Sequence, residues 1–170
     1  MSEELEQKNK YNSLKEGLFN GEISFEEIRS KLMELDQSTP SRDASDNNLN
    51  FLRDPQIIEY IDQHPEEEQK YHGFLSFTEF HVAQRLAASN STEATDHFRK
   101  ALESVNTDQL KNGWAAYVES SLLYIEGKEI PEELIAKAEE LSRKNAEILR
   151  NFNAGLKERG APSYMEDYTK

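Results

Sequence analysis

A chain of 170 residues, 36% of them hydrophobic, is long enough for one domain with a substantial core, or a core with a small appendage. Its 33 acidic and 20 basic residues give a net charge of −13, a field that opposes binding to nucleic-acid phosphates or anionic lipid and favours a basic partner. The absence of cysteine excludes disulfides, thiol catalysis and zinc–thiolate sites, and apolar runs such as the five residues Trp114 to Val118 fall far short of a membrane span.

Only 7 Gly and 5 Pro interrupt the chain, which disfavours a many-turned β fold and suits long helices. The first unit runs over residues 1–36. Leu5, Tyr11, Leu14, Leu18 and Phe19 fall near helical spacing, and Asn20-Gly21 interrupts them with residues that accept the left-handed conformation ending a helix. Ser24 and Glu27 then have the spacing of a capping box, with Ile23 placed to staple onto Ile28. Ile28, Leu32 and Leu35 carry the apolar face onward, so a helical hairpin is predicted. Leu14, Gly21, Ile23, Ser24, Glu26, Glu27, Ile28, Lys31 and Leu32 together resemble the short helical hairpins of the SHOCT type. That resemblance implies an association module, and homo-oligomerisation through it is left open.

Residues 37–50 are rich in Ser, Asp, Asn and Thr, contain Pro40 and show no apolar periodicity. They read as a linker that does not offset its ordering entropy by burial. The predicted main domain spans residues 51–170. Asp54-Pro55 reads as an N-cap followed by proline in the first helical turn. Ile57, Ile58 and Ile61 form the apolar face of that helix, with Tyr60 beside it and His64-Pro65 as its end. Phe74, Phe77, Phe80, Val82, Ala83, Leu86 and Ala87 mark a heavily apolar helix suited to a central position.

Ser91 or Thr92 opens the next helix, which carries Ala94, Phe98, Ala101 and Leu102. Trp114 starts another, ended by Gly127 and Lys128, and Pro131-Glu132-Glu133 starts the one after. Leu134, Ile135, Ala138 and Leu141 line its inner side. Ile148, Leu149, Phe152 and Leu156 predict a last helix or a continuation, stopped by Gly160 and Pro162. The tail Ser163–Tyr168 is aromatic and acidic, and is expected either to pack on the body or to dock elsewhere.

Gly73-Phe74-x-x-Phe77-x-Glu79 returns 40 residues later as Gly113-Trp114-x-x-Tyr117-x-Glu119. Ala94-x-x-x-Phe98-x-x-Ala101 resembles the second-helix signature of tetratricopeptide repeats, and Trp114-x-x-Tyr117 their first-helix opening. The resemblance covers roughly residues 73–144 and implies stacked helical hairpins that bind proteins or peptides. The predicted architecture is all-α, about seven helices, as antiparallel hairpins stacked in a bundle-like array.

No phosphate-cradling glycine loop and no serine nucleophile elbow occurs in the sequence. Of the four His, at 64, 72, 81 and 97, His72 stands one helical turn from an acid that could share a metal, Glu68, and one Glu-His pair falls short of the ligand set that a helical di-metal site requires. No catalytic residue, cofactor or metal is therefore predicted. The expected function is a non-enzymatic scaffold binding a protein or peptide, with a basic partner favoured and neither nucleic acid nor membrane expected. Trp114, Tyr117, Tyr124, Tyr164 and Tyr168 are the candidate partner-binding residues, the first two being better suited to the core. The alternative is an acidic inhibitor, immunity-type protein or nucleic-acid mimic that blocks a basic toxin or nuclease. Met1 to Glu6 lack the features of a signal peptide, so a cytoplasmic location is expected.

Overall fold

The computed structural model describes residues 3–38, 42–87, 89 and 91–144. Among these the fold is all-α: α1 (Glu3–Phe19), α2 (Phe25–Ser38), α3 (Arg42–Leu52), α4 (Pro55–Gln63), α5 (Glu68–Leu86), α6 (Ser91–Glu103), α7 (Thr107–Lys111), α8 (Trp114–Ile125) and α9 (Glu132–Lys144), with a 3-10 turn at Pro65–Glu67. No described helix is long and apolar enough to cross a membrane. The helix predicted over Ile148–Leu156 and the tail Ser163–Tyr168 lie outside the described residues.

The chain divides into two compact units, residues 1–74 and 75–170, with the division falling inside α5. In the first unit, α1 ends where Gly21 takes φ +72°, a left-handed conformation that a residue with a Cβ adopts at a cost. The Glu22 and Ile23 amides both return to the Gly17 carbonyl, closing the turn into α2. Ser24 Oγ accepts from the Glu27 amide at 3.2 Å, the expected cap of α2. Leu18, Phe25, Ile28 and Leu32 are buried, and they share this unit's core with Leu49, Leu52, Ile57, Ile61 and Tyr71.

Of the stretch read as a linker, the described residues 37–38 and 42–50 are helical instead. Arg42–Leu52 forms α3, and its anchor is polar: the Asn48 side chain is buried, accepts from Tyr11 Oη at 2.6 Å and donates to the Leu32 carbonyl at 3.0 Å. One amide thereby ties α1, α2 and α3 together. Tyr71 Oη donates to the Leu52 carbonyl at 2.6 Å, satisfying the last turn of α3. The hairpin of residues 1–36 is thus part of a larger unit.

The second unit contains two antiparallel hairpins. Ser76 of α5 bonds the Ala101 carbonyl of α6, while Glu79 meets His97 one turn further along, so α5 and α6 run in opposite directions. Gly113, at the start of α8, lies against Lys137 and Leu141, past the first turn of α9, and with only residues 126–131 joining the two helices this pair is antiparallel too. Trp114 meets Ser76 and Tyr117 meets Phe80, so α8 runs alongside α5 in the same direction. Phe80, Phe98, Trp114, Tyr117, Val118 and Ala138 form the buried centre, and the small Ala94 and Ala101 let α6 approach.

The two copies of the glycine-aromatic pattern occupy different structural positions. Gly73 lies within α5, whereas Gly113 is the N-cap of α8 at φ +91°. Glu79 is fully buried and Glu119 is exposed. Asn106 caps the short α7, which periodicity did not reveal, through a complete capping box with Gln109.

Candidate binding groove in the N-terminal unit

The aromatic residues singled out by sequence divide sharply. Trp114 and Tyr117 are only 7% and 2% exposed, stacked 5.8 Å apart between the helices of the second unit. As partner anchors they are withdrawn: their rings are consumed by packing against Phe80, and the indole N–H donates to Ser76 Oγ at 2.9 Å. Tyr124 lies on the outer side of α8, 61% exposed. Tyr164 and Tyr168 lie outside the described residues.

A different set of aromatics lines a groove in the first unit. Asp54 caps α4 by accepting from the Gln56 amide at 2.8 Å, with Pro55 in the first turn. Ile57 and Ile61 bury one side of α4. Helical spacing then places Gln56, Glu59, Tyr60 and Gln63 on another stripe, continued by His64, and this stripe forms one wall. The end of α1 supplies the other wall with Leu18 and Phe19, followed by Gly21. The groove is open and holds about 360 Å³.

Two contacts fix the relative direction of these helices. Lys15 Nζ reaches Asp54 Oδ2 at 2.7 Å and Gln56 Oε1 at 3.1 Å, at the start of α4. One turn later Phe19 meets Tyr60, with ring centroids 5.9 Å apart. The last turns of α1 and α4 therefore advance together, and their negative dipole ends converge on the groove. Neither helix carries Lys or Arg in its last turn. The Phe19 and Asn20 carbonyls accept no hydrogen bond from the described residues.

His64 terminates α4. Its Nδ1 lies 2.7 Å from the Tyr60 carbonyl, and because a carbonyl only accepts, Nδ1 carries the proton in that bond. The imidazole stacks on Tyr60 at 3.9 Å and 16°, so one face of the phenol is covered, while Phe19 remains 41% exposed.

The local potential is negative. Burial, and after it the carboxylates of Glu67 and Glu66, hold the Tyr60 phenol above its ordinary value. Glu67 Oε2 is shut off from solvent with no hydrogen-bond partner among the described residues. Lys15, close to the groove, is engaged by Asp54. That hydrogen bond holds the Asp54 carboxyl below its usual range, against the smaller opposing effect of burial.

Two further titratable pairs lie away from the groove. Glu68 and His72 form an exposed contact at 3.6 Å on one helix face. Glu79 is fully buried and lies 2.6 Å from Nδ1 of His97, joining α5 to α6. Among the described residues, no group of three or more His, Asp or Glu gathers as a metal site would require. Sequence reasoning missed the groove because Phe19, Tyr60 and His64 read there as apolar face and helix end. An aromatic falling just off the face of each helix was the available signal. Compared with known proteins, the chain matches no family model, no curated protein and no solved structure.

Proposed function

We propose that this protein is a non-enzymatic helical scaffold that binds a basic protein or peptide, and that the groove between α1 and α4 is where it does so. The observation that carries this reading is the Phe19–Tyr60 pair, an aromatic surface open to solvent and set among carboxylates and helix carboxyl ends. Aromatic rings supply contact area at small entropic cost, and the surrounding negative potential selects the sign of the ligand. The net charge of −13 favours the same class of partner from a distance.

An array of short peptides graded from acidic to basic, probed with the full chain, tests this. Basic peptides should be retained, and Tyr60→Ala together with Glu59→Gln should release them. Equal retention of acidic and basic peptides, or retention indifferent to both substitutions, would sink the reading.

A further inference from the structure

The geometry points to an arginine side chain of the partner as the group that occupies the groove, its guanidinium lying against Phe19 and its N–H groups shared among the acceptors at the ends of α1 and α4. This rests on the reading of the groove as a basic-ligand site and names the ligand's chemistry. Three observations favour arginine over lysine.

The first is the stacking surface. His64 covers one face of Tyr60, and Phe19 presents the open ring beside it. A guanidinium is planar, weakly hydrated and stacks on aromatic faces, whereas an ammonium is a compact and strongly hydrated point charge. The second is the spread of the acceptors. Glu59 and Gln63, two residues whose side chains carry acceptors, line one wall. On the other wall the Phe19 carbonyl ends its helix and takes no hydrogen bond from the described residues. A fork of five N–H donors meets separated acceptors together, which the three donors of an ammonium at one point do less well. The third is an existing contrast in the same unit: Lys15, a lysine, is held at the start of α4 by Asp54 and Gln56, where the acceptors converge on one point. The groove one turn further on has the opposite layout.

Charge is also unbalanced there. Two helix carboxyl ends and Glu59 stand at the groove, the carboxylates of Glu67 and Glu66 act on Tyr60 from beside it, and a cation is favoured in that field.

The test uses the full-length chain and three otherwise identical glycine-flanked peptides carrying arginine, lysine or citrulline, titrated while backbone amide resonances are followed by NMR. The arginine peptide should shift the amides of residues 18–21 and 56–64 and bind about two- to fivefold tighter than the lysine peptide, the ratio expected of an exposed cation–π contact. Citrulline, which keeps the plane and loses the charge, should bind weakest. Phe19→Ala should bring the arginine-to-lysine ratio to about one, and Glu59→Gln should weaken both charged peptides. Both side chains are exposed, so melting temperatures near that of the parent chain are expected and are measured alongside. Equal binding of arginine and lysine peptides, still weakened by Glu59→Gln, would overturn the arginine assignment and leave the basic-ligand reading standing. Absence of binding by either charged peptide, or citrulline binding as tightly as arginine, would remove both.

Discussion

Two polar atoms in the core of the second unit have opposite fates, and they predict opposite responses to mutation. The Tyr117 hydroxyl is buried with no hydrogen-bond partner among the described residues, and burial pushes its phenol well above the ordinary tyrosine value. The folded state therefore holds the neutral phenol. Its contribution to stability is complete below about pH 10 and declines as the unfolded chain ionises above it. Tyr117→Phe removes an unsatisfied hydroxyl and should be neutral or stabilising by up to about 1 kcal/mol at pH 7. It should also abolish this residue's share of the alkaline loss. The indole N–H of Trp114, by contrast, is satisfied by Ser76 Oγ, which itself donates to the Ala101 carbonyl at 2.7 Å. Ser76→Ala breaks this relay and strands the N–H, at an expected cost of about 1–3 kcal/mol. Urea denaturation of both variants checks the pair. A Tyr117→Phe loss as large as that of Ser76→Ala would mean that the hydroxyl has a partner after all.

At the scale of elements, the close approach of α8 and α9 rests on a missing side chain. A Cβ added to Gly113 would stand 2.9 Å from the Lys137 carbonyl oxygen and 3.3 Å from Leu141 Cβ, and the backbone is already at φ +91°. Gly21 shares the left-handed conformation, at φ +72°, but a Cβ there meets nothing within 4 Å. Gly21→Ala should therefore cost only the conformational strain, about 1–2 kcal/mol. Gly113→Ala should cost distinctly more because α9 must also move. Equal losses in denaturant titrations would show that α9 yields freely. The same comparison shows what was legible in the sequence. Helix starts were legible where the signal is local, as at Ser24 and Asp54-Pro55, because capping involves residues only two or three apart. The outline of an all-α fold of stacked antiparallel hairpins followed from those starts and from apolar spacing. The start of α3 was not legible, because its polar residues resemble a linker and its anchor, Asn48, bonds partners 16 and 37 residues away. Nor was the groove, since it exists only when Phe19 and Tyr60, distant in the chain, are brought together by the parallel run of α1 and α4.

Over the whole molecule the charge is uneven in a way that bears on binding kinetics. Residues 1–74 carry 17 acidic and 8 basic side chains, and residues 75–170 carry 16 and 12, so the unit that bears the groove holds most of the net negative charge. Few of those carboxylates line the groove itself. Charges away from a contact act on the approach of the ligand and are screened by salt, while groups in contact act on its escape. Two manipulations should therefore separate. Raising ionic strength from about 0.05 M to about 0.5 M shrinks the reach of the field to a few ångströms, and should slow association of the arginine peptide about tenfold or more with little change in dissociation. Phe19→Ala leaves the field intact and should speed dissociation with little change in association. Line-shape analysis of the same amide titrations yields both rates. Salt acting mainly on dissociation would place the dominant charges inside the contact, and the aromatic surface would then be secondary to the carboxylates around it.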